Sequence, residues 1–215
     1  MLPIQLFSKK IRVAKVQELQ NGKCICERRL PDYPPNKASN FAPVEGIRPL
    51  TFRKDQCRPA SHGIHVRKND ERGDICQSIE GIKKHFDAHG FGRWAVEIAD
   101  SGKFIGFVGI SIPPYTLPFS PCVEVAWRIC PEEWGRGYAP EAAKEALRDG
   151  FERVGLEEIV SFTTLTNLKS RRVMEKLGMQ HCPDQNFDHP MVPEGHSLRR
   201  HVLYRMGKAD WSAQS

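Results

Sequence analysis

The chain has 215 residues, of which 40% are hydrophobic and 9% aromatic, a composition typical of a globular domain with a sizeable core. No apolar run reaches the roughly 20 residues that cross a bilayer, so a membrane role is not expected. No secretory signal pattern is visible, so a cytoplasmic location is expected. The net charge of +6 arises in residues 1–75, which carry +7, whereas residues 76–215 carry −1, so the latter segment is not expected to bind nucleic acid.

The first third of the chain differs from the rest. Pro31–Lys37 is typical of a loop, and Arg53–Asp74 has neither helical nor strand periodicity. A strand is indicated only at Ile47–Leu50. Residues 1–75 are therefore predicted to be an atypical, partly disordered segment, and the compact unit is predicted to begin near Ser78.

Strands and helices alternate in the remaining sequence. Ser78 is a suitable cap for a helix over Ile79–Ala88, and Trp94–Ile98 and Phe104–Ile110 are predicted to form a β-hairpin. The elements predicted after it are the strand Val123–Ile129, the helix Pro140–Phe151, the strand Ile159–Thr164, the helix Asn167–Leu177 and the strand Arg200–Arg205. This order predicts an α/β (α+β) domain over residues 76–208, with a mixed sheet flanked by helices, and residues 209–215 form a tail.

Two glycines, Gly135 and Gly137, lie between a predicted strand and a predicted helix, in the run PEEWGRGYAPEA. Glycine lets the backbone approach a ligand closely, and the free N–H groups of a helix N-terminus attract anions such as phosphate. On these residues alone, a phosphate site and a tight strand-to-helix turn are both open interpretations.

A second motif follows about thirty residues later, in the run NLKSRRVMEKLGM from Asn167 to Met179. Together, W-G-x-G-Y-A-x-E-A and N-x-x-S-x-x-x-x-E-K-L-G-M resemble the motifs of the GNAT superfamily of acetyl-CoA-dependent N-acyltransferases. Within that superfamily the chain is most similar to the branch of the ribosomal-protein alanine acetyltransferases. The resemblance covers about Ile79 to Met206.

The resemblance implies a fold, a reaction and a set of ligand-binding residues. The fold is a mostly antiparallel twisted sheet in which two parallel strands splay apart and hold acetyl-CoA. The reaction is acetyl transfer to a primary amine by direct attack in a ternary complex, without a metal, in a monomer or homodimer. The acceptor is a small-molecule amine or a protein N-terminus. The residues implied in acetyl-CoA binding are Trp127, Ile129, Trp134, Gly135, Arg136, Gly137, Tyr138, Ala139, Asn167 and Ser170.

Glu124 and Ser170 are the catalytic candidates. Glu124 lies in an otherwise apolar strand, where burial would raise its pKa to the range useful for a general base. The alternative is that it faces solvent or pairs with an arginine such as Arg128. Ser170 is either the proton donor to the departing thiolate or an ordinary first-turn serine, and Asn167 caps its helix, binds the pantetheine arm, or does both.

The histidines and cysteines are not expected to bind a metal. His181, His189, His196 and His201 have no zinc-ligand spacing and are predicted to be scattered. The loop that holds His189 is long enough to cover the acceptor pocket and set specificity. Seven dispersed cysteines are predicted to be reduced thiols.

Residues 52–75 lack the segment that the family places after its first strand. A one-base shift of the reading frame over Lys54–His65 would encode a peptide similar to that segment. One hypothesis is therefore a frame-shifted sequence, and the other is a divergent extension. If this region is damaged, the chain would be a catalytically impaired acetyl-CoA-binding module that acts through a partner.

Overall fold

The structure is a computed structural model that describes residues 5–6, 10–14 and 71–214. The strand predicted at Ile47–Leu50 lies outside these residues. The hypotheses on residues 52–75 also fall outside them, except that a helix already begins at Glu71.

One mixed sheet organises the described residues. Its strands run in the spatial order β1-β2-β3-β4-β5-β6-β9-β7, and β8 also pairs with β9. Every pairing is antiparallel except that of β5 with β6. The strands are β1 (Gln5–Leu6), β2 (Ile11–Ala14), β3 (Arg93–Ile98), β4 (Phe104–Ser111), β5 (Glu124–Ile129), β6 (Glu158–Thr164), β7 (Gln180–His181), β8 (Phe187–Asp188) and β9 (Arg200–Gly207).

Helices connect and flank these strands. They are α1 (Glu71–His89), α2 (Tyr138–Arg148), α3 (Leu168–Lys176) and α4 (Lys208–Gln214). The helix α2 continues into a π-helical segment at Asp149–Val154, and short 3₁₀ turns occupy Pro131–Glu133 and Pro183–Gln185. Within the described part of the chain, no helix is long and apolar enough to cross a membrane.

The packing of α2 against the sheet fixes the position of the glycine turn, which follows the C-terminal end of β5. Ala142, Ala143 and Ala146 are fully buried, and α2 packs on β4 and β5. Alanine favours a helix and its small side chain lets the helix axis come close to the sheet. The first turn of α2 is thereby fixed next to the end of β5.

The sequence predicted most of these elements correctly, including the mixed sheet flanked by helices. Two differences concern the helices at the ends of the domain. The helix α1 begins at Glu71 rather than Ile79. Residues 208–214 form α4 rather than a tail, because the Trp211 ring is buried and stacks on Phe151 with 5.8 Å between centroids.

The expectation that the compact unit begins near Ser78 is wrong for β2. Ile11 and Val13 are buried, and β2 pairs with β3 along its whole length, from Ile11 opposite Ile98 to Ala14 opposite Ala95. The alternation of Ile11, Arg12 and Val13 is typical of a strand with one buried face but covers too few residues to be distinguished from chance.

The expectation of reduced thiols is correct at Cys122 and Cys182, which are free. It is wrong at Cys130, which is disulfide-bonded. Disulfide pairing depends on which cysteines the fold brings together, and sequence spacing does not report that distance.

Candidate active site

The parallel strands β5 and β6 separate shortly after they meet. Their register contains the single pair Glu124–Val160, and the Val160 N–H donates to the Val123 carbonyl at 2.9 Å. One residue further along β6, the Ser161 hydroxyl, rather than a main-chain N–H, donates to the Val125 carbonyl at 2.9 Å. The two strands therefore form a V whose gap opens towards their C-terminal ends.

Main-chain groups of β5 line this gap. The Cys130 N–H donates to the Ile105 carbonyl, on the β4 side. Since hydrogen-bonding directions alternate along a strand, the N–H groups of Trp127 and Ile129 point to the opposite side, towards β6. The Ile129 carbonyl accepts a 2.7 Å hydrogen bond from the Trp134 indole. The positions predicted to contact the pantetheine arm thus face the gap.

The glycine turn lies where the gap ends. Gly135 and Gly137 have φ values of +79° and +88°, which L residues with side chains rarely adopt. A Cβ atom at either position would meet no heavy atom within 4 Å, so the space beside the turn is open. Gly137 is the N-cap of α2, and no side chain caps this helix. Tyr138 is buried in the core, and Ala139 is partly buried against it.

Cationic groups surround this turn. Arg136 lies 3.3 Å from the carboxylate of Glu133, and Lys103 lies 2.7 Å from it. The Lys169 ammonium is 4.0 Å from the centre of the Trp134 ring. Arg136 was predicted, whereas Lys103 and Lys169 were not, because the fold brings them in from the β3–β4 turn and from α3. Two of these cations pair with the buried Glu133 carboxylate and the third lies over the Trp134 ring, so positive charge collects beside the turn, which suits a phosphate group.

Asn167 fixes the start of α3. Its amide oxygen accepts from the Ser170 N–H at 3.2 Å, which confirms the predicted cap. Its amide nitrogen donates to the hydroxyls of Ser170 and Thr163, each at 2.9 Å. Because the Ser170 oxygen accepts one of these bonds, its hydroxyl hydrogen can be donated to another group.

Glu124 lies at the point where β5 and β6 part. It is 8% exposed, and burial raises its pKa from 4.5 to about 7, against the opposing effect of Arg93. The Arg93 guanidinium is 3.7 Å away, beyond hydrogen-bond distance. The alternative of a solvent-facing carboxylate is therefore wrong, whereas the alternative of a pair with an arginine is correct, with Arg93 as that arginine. The partner lies on β3, a non-local contact that sequence spacing does not reveal.

The expectation that the histidines are scattered is wrong for two of them, His189 and His201. The rings of His189 and His201 are buried, and their centroids are 4.8 Å apart. Burial, with a smaller contribution from the neighbouring His201, lowers the pKa of His189 to about 4, so the ring is neutral at physiological pH. His181 instead stacks on Tyr204. No group of three potential metal ligands occurs among residues 5–6, 10–14 and 71–214.

Comparison with known proteins gives a family and two partial relatives. The family model described as "Acetyltransferase (GNAT) domain" matches residues 53–180. The chain is 36% identical over 130 residues to an FsC-acetyl coenzyme A-N(2)-transacetylase of Aspergillus fumigatus, covering 55% of this chain and 54% of that protein. It is 30% identical over 89 residues to the uncharacterized N-acetyltransferase YnaD of Bacillus subtilis, covering 41% of this chain and 51% of that protein. The chain spans about half the length of the curated relatives it matches.

A solved structure shares the fold. The ribosomal-protein-S5-alanine acetyltransferase from Vibrio fischeri aligns with a TM-score of 0.52 and 20% identity, over 64% of this chain and 72% of that chain. At this identity the likeness supports the mixed sheet flanked by helices and nothing finer.

Proposed function

The chain belongs to the GNAT acetyltransferase family, whose members use acetyl-CoA as co-substrate, and on this premise we propose that it is an N-acetyltransferase acting on a primary amine. One observation carries the proposal. A buried carboxylate, Glu124, with a pKa near 7 lies at the apex of the gap between β5 and β6. A general base poised near the working pH is most useful at such a place.

The gap and the glycine turn fit acetyl-CoA. The open space beside Gly135 and Gly137 suits the pyrophosphate, and Arg136 supplies charge next to it. The N–H groups of Trp127 and Ile129 suit the amides of the pantetheine arm, and a main-chain N–H of β5 would polarise the acetyl carbonyl. The Trp134 indole stabilises β5, the strand proposed to bind the pantetheine arm, by donating a hydrogen bond to the Ile129 carbonyl.

The reaction combines one acyl transfer with the loss of two protons from the amine nitrogen and the gain of one proton by the sulfur. Glu124, as carboxylate, takes a proton from the acceptor ammonium, and the free amine attacks the thioester carbonyl. The C–N bond forms, the C–S bond breaks, and the coenzyme leaves as a thiolate. The Ser170 hydroxyl, whose hydrogen is available, protonates that sulfur, and the second proton that the nitrogen loses on becoming an amide restores the hydroxyl. Holding both substrates side by side makes the attack effectively intramolecular.

The acceptor, branch and setting are further parts of the same proposal. The name of the A. fumigatus relative specifies acetylation of an N(2) position, and the V. fischeri enzyme acts on an alanine of a ribosomal protein. The name of the A. fumigatus relative supports a small-molecule amine as acceptor. A protein N-terminus and membership in the ribosomal-protein alanine branch rest on the resemblance of the two sequence motifs. We propose that the reaction takes place in the cytoplasm and that the enzyme is a monomer or a homodimer.

A thiol-release assay with acetyl-CoA and a panel of amines tests the proposal. Glu124→Gln should lower kcat by roughly 10²- to 10⁴-fold and leave the Kd of acetyl-CoA unchanged. The wild-type kcat/KM should fall as the pH drops below about 7, and this limb should disappear in the variant. Glu132→Gln, the same change at an exposed residue of the neighbouring 3₁₀ turn, is the matched control.

Two results would count against the proposal. Near-normal turnover of Glu124→Gln would remove the general base from this position. Tight acetyl-CoA binding without thiol release for any amine would favour the catalytically impaired coenzyme-binding module instead.

A further inference from the structure

Tyr115 lies on the same side of the sheet as Glu124, in the loop that joins β4 to β5. Glu124 and Val160 are adjacent in register, so alternate residues of β6 such as Phe162 share the face of Glu124. The Phe162 ring contacts His189, and the His189 ring contacts Tyr115 at 4.9 Å between centroids. Glu124 also acts electrostatically on the Tyr115 hydroxyl. The tyrosine therefore lies on the side of the V from which an acceptor would approach.

The hydrogen bonds of His189 fix its tautomer. The Met191 N–H donates to its Nδ1 at 3.2 Å, so Nδ1 carries no hydrogen. Since burial keeps the ring neutral, the hydrogen is on Nε2. Nε2 lies 3.1 Å from the Tyr115 hydroxyl oxygen and therefore donates to it.

This arrangement leaves the Tyr115 hydroxyl hydrogen free. Its oxygen accepts from His189, and among the described residues no acceptor for its own hydrogen is present. Burial, reinforced by the Glu124 charge, raises the pKa of Tyr115, so the group remains a phenol and a donor. A half-buried donor that its neighbours orient but do not use is suited to a ligand oxygen.

The charges on this face do not suit a polycation. Glu124 already has Arg93 at 3.7 Å. The next carboxylate on this face, Glu158, lies two positions before Val160 on β6 and pairs with Arg205. A polyamine carries several ammonium groups, each of which needs an acceptor, whereas the carboxylates of the described face already lie beside arginines and its remaining donor is neutral.

From this geometry we infer that Tyr115 is a specificity-determining residue that donates a hydrogen bond to a carbonyl oxygen of the acceptor, close to the amine that Glu124 deprotonates. His189 is the positioning residue that holds it. The preferred acceptors are then amines with a neighbouring carbonyl group, as in an α-amino amide, rather than polyamines. This inference rests on the proposed acetyltransferase function.

The test compares two amines of similar shape, alaninamide and sec-butylamine, in the thiol-release assay. Tyr115→Phe should lower the ratio of their kcat/KM values by roughly 2- to 10-fold, the size expected for one neutral hydrogen bond. The KM for alaninamide should rise, while the Kd of acetyl-CoA stays the same. The different basicities of the two amines cancel, because each ratio is compared between wild type and variant.

Variants of His189 separate positioning from packing. His189→Gln keeps an N–H donor and should retain most of the wild-type ratio, whereas His189→Leu should behave like Tyr115→Phe. If the His189 variants do not fold, Tyr115→Phe, which removes one oxygen atom, remains decisive. In the wild type, 1,4-diaminobutane should be a poorer substrate than alaninamide.

The outcomes distinguish the role of Tyr115 from the acetyltransferase function. An unchanged ratio in Tyr115→Phe, an equal loss for both amines, or a preference of the wild type for the diamine would overturn the role of Tyr115 and leave the acetyltransferase proposal standing. No thiol release by the wild type with any amine would overturn both.

Discussion

The carboxyl group of Glu124 should make stability depend on pH in the direction opposite to that of an ordinary carboxylate. Its pKa is about 7 in the folded protein and 4.5 as the ordinary value. Below pH 4.5 the group is protonated in both states and costs nothing. As the pH rises towards 7, the unfolded chain ionises first, so folding is progressively disfavoured.

The size of the effect follows from the two pKa values. Each unit of difference corresponds to about 1.4 kcal/mol, so a change from 4.5 to about 7 destabilises the fold by about 3 kcal/mol once the pH is well above 7. That is a large share of the roughly 5–15 kcal/mol by which domains are stable. Glutamine has nearly the same shape and does not ionise. Glu124→Gln should therefore be more stable than wild type at pH 8 and similar to it at pH 4.5.

The measurement is urea unfolding of wild type and Glu124→Gln from pH 4.5 to 8. Wild type alone is ambiguous, because His189, whose pKa is lowered to about 4, contributes stability that is lost as the pH falls below its ordinary value of 6.5. The difference between the two proteins removes this term. Glu132→Gln, at an exposed position, should show a flat difference. A flat or falling difference for Glu124→Gln would mean that this carboxylate titrates normally and that burial does not control it.

Two further substitutions test the coenzyme turn and the last helix. Gly137→Val should greatly weaken acetyl-CoA binding measured by calorimetry, whereas Gly155→Val, at a similar φ of +79° and with equally open space, should cost similar stability, measured by thermal unfolding, without affecting the Kd. Equal affinities in the two variants would contradict a phosphate role for the turn. Trp211→Ala should destabilise the fold by roughly 3–5 kcal/mol in urea unfolding, and the exposed Ser212→Ala by less than about 0.5 kcal/mol. Loss of less than about 1 kcal/mol at Trp211 would return α4 to the status of a tail.

Local signals explain what the sequence predicted well. The strand β6 was found to within one residue at its start because its apolar run is bounded by Gly155 and Asn167, which break or cap structure. The Asn167 cap was identified for the same reason, since its hydrogen bond reaches only three residues along the chain. Such features depend on neighbours in sequence, and a single chain contains all the information needed.

The missed features depend on contacts across the fold. Arg93 on β3 reaches Glu124 on β5 across the intervening strand β4. Tyr115 and His189 are in contact although they are 74 positions apart in the sequence. Trp211 is a single aromatic residue in a seven-residue segment, too short to show a helical period, and only its contact with Phe151 fixes it. Nothing in the spacing of these residues reports that the chain returns to the same place.

The separation of β5 from β6 explains why one place in the sheet can serve both substrates. A continuous parallel ladder would use the Trp127 and Ile129 N–H groups and leave nothing for a ligand amide. The Ser161 hydroxyl bonds the Val125 carbonyl, so the last contact between the strands is satisfied by a side chain and the main chain beyond it is released. Glu124 lies at that apex, opposite Val160 in the one remaining register pair, and is buried. The same break in strand pairing therefore leaves main-chain N–H donors for the coenzyme and positions the Glu124 base. A substitution that restored continuous pairing of β5 with β6 would remove the donors and displace the base.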